Sequence, residues 1–222
     1  MKKDDVLKAL KEDEEDGNGE IIDKGKHHSV YYDYNEGIET HFRYEEGCTD
    51  RYVADLIHIG SGAAAKGLKK QFLIDVLKKA YGEDYYDAIC TCAGIIIPSN
   101  GKEFIQMLSA TFRNSDDVNE WYQYCEQENV VGRMFRTHQI VFINEAEIAK
   151  LAKTLGDEII SEEEEYETGI ITTLIHEIRH LMLDTNPFLP EDEFPVSEAS
   201  EDAVEAFCRQ RYTQLGDLRR FK

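Results

Sequence analysis

The stretch GIITTLIHEIRHLML, residues 169–183, determines the expected fold of the second half of the chain. Apolar residues lie on most sides of this stretch when it is wound as a helix, which predicts a buried helix from roughly Thr168 to Leu183. His176 and His180 stand four residues apart and therefore share one helix face, and Glu177 follows the first histidine directly. Because isolated polar groups are costly to bury, these side chains need partners, which a shared metal ion or separate bonds from each histidine to core carbonyls could supply. The spacing predicts that both imidazoles bind one metal ion.

A catalytic zinc site needs a third protein ligand and one open position. Ser197 can cap a last helix over roughly 198–215, which offers Glu201, Glu198 and Glu205 as carboxylate ligands. Glu201 shares a helix face with several apolar residues and ranks first, Glu198 second and Glu205 third. The sequence alone leaves all three open.

At this point the chain resembles the zincin metallopeptidases of the gluzincin type, which carry His-Glu-x-x-His and a glutamate on a later helix. Residues 201–208 are similar to the Glu-x-x-Ala-Asn/Asp-x-Phe-Ala helix of small intracellular zincins, which favours Glu201. Residues 197–202 are similar to the Asn-Glu-Ala-x-Ser-Asp of thermolysin-like enzymes, which favours Glu198. The resemblance covers about residues 133–215.

This resemblance implies a Zn²⁺ cofactor on His176, His180 and a glutamate, and a peptide or protein substrate. Glu177 would be the catalytic base that deprotonates a zinc-bound water and later protonates the leaving amine. A strand at Met134–Ile143 would be the sheet edge that pairs with an extended substrate. Tyr212 and His138 are the candidates for stabilising the oxyanion.

The first half shows a second resemblance. The order of a strand, the turn Gly60-Ser61-Gly62, an amphipathic helix, a further strand and a helix after Asn100 is similar to the acetyl-CoA-binding core of GNAT acetyltransferases, over residues 52–112. There a glycine-rich turn binds pyrophosphate through backbone N–H groups. The alternative interpretation is an ordinary strand-to-helix turn rich in Gly and Ala. The competing function is therefore an acyl-CoA-binding protein, or a non-catalytic module that keeps a metal site.

The pattern as a whole predicts an α+β fold with three regions. Residues 1–26 are expected to be an acidic flexible tail, 27–128 an N-terminal α/β region, and 129–222 a minimal zincin-like domain with an edge strand, an active-site helix and a ligand helix. Strands are predicted at Val30–Tyr34, Ile38–Tyr44, Tyr52–Ile59, Ala88–Ile97 and Met134–Ile143, and helices at Gly67–Tyr81, Lys102–Ala110, Asp116–Glu128 and Glu145–Leu155.

Composition limits the possible partners. The 222 residues carry 25 basic and 45 acidic side chains, a formal charge of −20 that would repel nucleic acid and anionic membranes. No apolar run approaches the length of a membrane helix, and no secretory signal opens the chain. The five cysteines are odd in number and scattered in spacing, which favours a reducing cytoplasmic location. The oligomeric state is not readable from the sequence.

Overall fold

The computed structural model describes residues 2–23, 28–35, 37–44, 49–90, 92–111, 118–127, 129–135, 138–156, 160–185 and 201–215. These residues form an α+β fold with two sheets, which confirms the predicted fold class at this level. No helix within these ranges is long and apolar enough to cross a membrane.

The N-terminal part of the chain forms helix α1 and an antiparallel sheet of three strands. Helix α1 (Lys3–Glu15) is followed by β1 (Gly19–Asp23), β2 (His28–Asp33) and β3 (Ile38–Arg43), which lie in the order β1-β2-β3.

Helix α1 and strand β1 lie within residues 1–26, the segment predicted to be an acidic flexible tail. Val6 and Leu10 stand one helical turn apart and are buried against Tyr31, Phe42 and Tyr44 of the sheet. This apolar contact stabilises a helix whose other residues are mostly charged, and such a contact is not visible in local composition.

The second sheet has the order β4-β5-β7-β6, with β4, β5 and β7 parallel and β6 antiparallel at one edge. Helices surround it on both faces, and α9 packs against β6, β7, α8 and α10. The elements are α2 (Asp50–Leu56), β4 (Ile57–Ile59), α3 (Ser61–Ala65), α4 (Lys70–Tyr81), a 3₁₀ turn (Gly82–Asp84), α5 (Tyr85–Cys90), β5 (Gly94–Ile97), α6 (Gly101–Thr111), α7 (Val118–Gln127), β6 (Gly132–Phe135), β7 (Ile140–Ile143), α8 (Glu145–Leu155), α9 (Glu162–Thr185) and α10 (Glu201–Gln214).

Three predicted strands differ from the structure. Only the last three residues of Tyr52–Ile59 are strand, because Thr49 caps helix α2 by accepting a hydrogen bond from the Tyr52 amide. The run Ala88–Ile97 divides into the end of α5 and strand β5. The run Met134–Ile143 is the hairpin β6–β7 rather than one strand. Short apolar runs fit helix and strand equally well, and their tertiary contacts decide between the two.

The helices next to the metal motif follow their capping signals. Helix α8 has the predicted bounds, because the Asn144 side chain accepts a hydrogen bond from the Glu147 amide and Gly156 ends the helix. Helix α9 begins earlier than predicted, at Glu162. Ser161 and Glu164 form a reciprocal capping box, with the Ser161 amide donating to the Glu164 carboxylate and the Glu164 amide donating to the Ser161 hydroxyl.

The motif helix α9 lies in the main core. Most of its apolar side chains are buried and pack against residues from α4, α5, β5, β7 and α10. A smaller core, which includes Ile96, Phe104, Phe135 and Phe142, lies on the other face of the sheet. This packing fixes α9 as a rigid support for its polar residues. The fully buried members of α9 are Ile170, Ile171, Leu174, Ile175, Ile178 and Leu181.

Candidate metal centre

Two histidines and one glutamate converge between α9 and α10. The Nε2 atoms of His176 and His180 lie 3.0 Å apart, and the two carboxylate oxygens of Glu201 lie 3.1 Å and 3.2 Å from them. Ligand atoms that surround a zinc ion tetrahedrally at about 2.0–2.1 Å lie about 3.3 Å from one another. The three side chains therefore form a group that could hold a metal ion.

The arrangement of the two helices explains why Glu201 reaches the histidines. Helices α9 and α10 run antiparallel, since Glu201 lies beside His176 and His180 while Tyr212 lies beside Thr168. Glu205 stands one turn further along α10, where Arg209 pairs with it at 2.5 Å. Glu198 lies outside the described residues. Of the two candidates that can be compared, the structure brings Glu201 to the histidine pair.

His176 is held in the form that binds metals. Burial lowers its pKa, and the neighbouring His180 lowers it further, while Glu201 opposes the shift. The imidazole is therefore neutral at pH 7 and keeps a lone pair on nitrogen, which metal coordination requires.

Glu177 lies beside this triad in a nearly closed environment, with only 7% of its surface exposed. Burial, followed by the negative charge of Glu201, raises its pKa to about 8, whereas the backbone amide of Met134 and the charge of Arg133 lower it. A bound divalent cation would favour the ionised carboxylate and reverse much of this shift. Such a group can accept a proton at neutral pH when a cation is present.

A cleft of about 630 Å³ opens from the triad between α9, α10 and residues 129–132. Gly132, the first residue of β6, closes against α9 so tightly that a Cβ atom there would lie 2.2 Å from Thr173 Cγ2 and 3.0 Å from Glu177 Oε1. The edge strand thus borders the cleft directly. The cleft is lined by Asn129, Val130, Val131, Gly132, Thr172, Thr173, His176, Glu177, Glu201, Glu205, Cys208, Arg209 and Tyr212.

The two candidates for stabilising an oxyanion lie away from the triad. The Tyr212 hydroxyl is 2.8 Å from Thr168 Oγ1, and Thr168 precedes His176 by eight residues, or about 12 Å along the helix. His138 is exposed in the β6–β7 turn and is not among the described residues that line the cleft. Tyr212 nevertheless lines the same cleft as His176 and Glu177.

The glycine-rich turn of the first half already holds an anion of the chain itself. The carboxylate of Glu103 accepts hydrogen bonds from the Ser61 amide and hydroxyl and from the Ser99 amide. A Cβ atom at Gly60 would lie 2.3 Å from that carboxylate. A pyrophosphate group at this turn would meet negative charge rather than free N–H groups, so the site does not fit the acetyl-CoA interpretation.

The sequence identifies the two histidines and Glu177 but misses the part of the edge strand that faces them. Gly132 and Met134 contact Glu177, and Gly132 lies before the predicted start of the strand. A glycine opening an apolar strand is the signal that points to a close approach of the backbone. Comparisons with protein-family models, with curated proteins and with solved structures find no match for this chain.

Proposed function

We propose that this chain is a zinc-dependent metallopeptidase that hydrolyses peptide bonds with a metal-activated water. The observation that carries the proposal is the convergence of His176, His180 and Glu201 at separations of 3.0–3.2 Å, with the buried carboxylate of Glu177 in the same cleft. Structural zinc sites are almost always closed by four ligands, whereas three protein ligands with an open position and a nearby carboxylate fit a catalytic site.

The donor set favours zinc over the other common divalent ions. Two imidazole nitrogens and one carboxylate match the three-ligand set of catalytic zinc sites, which leave the fourth position to water or substrate. Magnesium and calcium prefer oxygen ligands throughout, so two imidazoles argue against them.

The edge strand favours an extended polypeptide as the substrate. Among the described residues, strand β6 pairs with β7 alone, and it is antiparallel to the rest of the sheet. Its first residue borders the cleft that contains Glu177. An extended peptide could add to this edge by main-chain hydrogen bonds, which would bring a peptide bond to the triad. The zincin resemblance in the sequence implies the same placement.

In the proposed mechanism, the chain supplies orientation and proton transfer. Zinc, when bound, supplies a Lewis acid that polarises the scissile carbonyl and acidifies a water molecule. Glu177 accepts a proton from that water on its carboxylate and delivers it to the amine that leaves. The Met134 amide holds the Glu177 carboxylate in place, and the apolar packing around α9 fixes the helix that carries it.

The test combines metal analysis with hydrolysis. We expect one zinc ion per chain in the full-length protein, lost in His176→Ala, and hydrolysis of an unfolded protein or a mixed fluorogenic peptide library. Glu177→Gln should keep the zinc but lose activity by a factor of about 10²–10⁴. Glu163→Gln, an exposed change in the first turn of α9, is the matched control and should retain both.

Each outcome has a separate meaning. Zinc retention without hydrolysis of any peptide would support a non-catalytic metal-binding module instead. Failure of the full-length protein to bind zinc would overturn the proposal altogether.

A further inference from the structure

Few local contacts hold the Glu201 side chain in place. Its side chain is 68% exposed, and its polar contacts among the described residues are those with His176 and His180. Its carboxylate therefore contacts the two imidazoles from the solvent side of α10. The placement of α10 against α9 must therefore decide whether the third carboxylate meets the two imidazoles.

At the contact between α9 and α10, the aromatic ring of Phe207 lies between two arginine side chains, Arg179 and Arg211, and we call these three residues the clamp. The guanidinium groups of Arg179 and Arg211 lie 4.6 Å and 4.9 Å from the ring centre of Phe207, which is within the range of cation–π attraction. The Arg211 Nε atom is buried without a hydrogen-bond partner among the described residues. Stacking on the ring, rather than hydrogen bonding through Nε, accounts for this position of Arg211.

The same clamp is joined to the metal-binding turn of α9. Arg179 immediately precedes His180. At 100° per residue, Arg179 and Glu177 flank the helix face that carries the two histidines, one on each side. Tyr81 of α4 lies with its ring 5.7 Å from Phe207, and its hydroxyl donates to the carbonyl of Ile175 at 2.8 Å. Tyr81 therefore touches both the residue before His176 and the helix that carries Glu201.

We propose that Arg179 and Phe207 are positioning residues that set the place of Glu201 relative to the two histidines. The proposal rests on the metal triad of the proposed function. Phe207 follows Glu201 by six residues, about 9 Å along α10, so a small tilt of the helix at the clamp moves the carboxylate directly. This gives Arg179 a role in metal binding through its contact with Phe207.

The test measures zinc affinity of the full-length protein by competition with a chromophoric chelator. Phe207→Leu keeps an apolar side chain but removes the ring, and we expect zinc affinity to fall about 10- to 100-fold, as for other residues that support metal ligands. Arg179→Met, which keeps the aliphatic stem, should also weaken zinc binding. Phe207→Tyr restores a ring and should bind zinc like the unchanged protein.

A matched substitution separates positioning from general loss of stability. Phe104→Leu makes the same chemical change in the smaller core, where Phe104 is fully buried, and it should lower the unfolding temperature without changing zinc affinity. Equal zinc affinity in Phe207→Leu and the unchanged protein, or an equal loss in Phe104→Leu, would overturn the inference while leaving the proposed function intact. If the unchanged protein bound no zinc, both proposals would fail.

Discussion

Glu177 should give the metal-free protein a characteristic dependence of stability on pH. Its pKa is about 8 in the folded chain against an ordinary value of 4.5, because it is buried and lies near Glu201. Between these two pH values the folded state holds a proton that the unfolded state has lost. The resulting stabilisation is complete below pH 4.5 and is lost as the pH rises through about 8. From this group alone, the free energy of unfolding should fall by roughly 2 kcal/mol between pH 6 and pH 8.

Urea unfolding of the metal-free protein at several pH values measures this effect. Other groups also titrate in this range, so the quantity to compare is the difference in slope between the unchanged protein and Glu177→Gln. The glutamine variant has no proton to lose and should be flatter between pH 6 and pH 8. Saturation with zinc should also flatten the profile, because a nearby cation lowers the pKa of Glu177. Identical slopes in the two metal-free proteins would contradict the assigned environment.

The residues of the site differ in how far the sequence alone can assign them. His176 and His180 are predictable because four residues of helix bring them together whatever the rest of the fold does. Glu201 and Glu205 are one turn apart and offer the same chemistry, so only the packing of α10 against α9 distinguishes them. Local spacing identifies ligands within one helix, whereas a ligand from a second helix depends on tertiary contacts.

The contact between β6 and α9 should tolerate no side chain at Gly132. A methyl group there would lie 2.2 Å from Thr173 Cγ2, so Gly132→Ala must push the strand away from the helix. Overpacking of this kind costs about 1–3 kcal/mol. The displacement would also separate the Met134 amide from Glu177, and we expect zinc-dependent hydrolysis to fall more than zinc affinity. Thermal unfolding, zinc titration and peptide hydrolysis measure the three effects.

A second substitution tests the stated cause. Thr173→Ser removes the methyl group that the new Cβ atom would strike, so the double variant Gly132→Ala/Thr173→Ser should regain part of the lost stability. Glu177 also lies 3.0 Å from the added atom, which limits the recovery. Strict additivity of the two single effects would show that the residues do not interact and would contradict the proposed clash.

At the level of elements, the sequence predicts best where signals are local. The predicted bounds of helix α8 agree with the structure because Asn144 and Gly156 mark its ends. The hairpin β6–β7 is read as one strand because its turn carries no Gly or Pro, and Gln139 instead adopts the left-handed conformation with φ of 54°. That conformation is supported by tertiary bonds, since the Gln139 side chain accepts from the His41 amide at 2.8 Å and the Gln139 carbonyl accepts from the Ala93 amide.

For the whole molecule, Gln139 connects the N-terminal sheet to the hairpin that borders the cleft. Its buried side chain bonds to the backbone of His41 in β3, and its own backbone bonds to the residue before β5. The division of the chain after residue 128 remains a prediction. The connection nevertheless shows that the first sheet contacts the end of the edge hairpin directly, which no local sequence signal indicates.

The charge of the whole molecule should select among the substrates of the proposed peptidase. With 25 basic and 45 acidic residues, the chain carries −20 and produces a negative potential that extends beyond the cleft. Within the cleft, a bound zinc ion and Arg209 would together offset the carboxylates of Glu177, Glu201 and Glu205, so the expected preference rests on the charge of the chain as a whole. Cationic peptides should therefore associate faster than anionic peptides of the same length and cleavage sequence.

Ionic strength distinguishes this long-range effect from a specific contact. The screening length falls from about 30 Å at 0.01 M to about 8 Å at 0.15 M ionic strength, so a preference set by total charge must shrink as salt is added. Peptides with lysine or glutamate flanks around one core sequence can be compared by kcat/KM, and by their association rates with zinc-loaded Glu177→Gln. A lysine preference that is unchanged across this range would point to direct pairing with a cleft carboxylate such as Glu205. Equal rates for both peptides at low salt would show that the charge of the chain has no part in substrate choice.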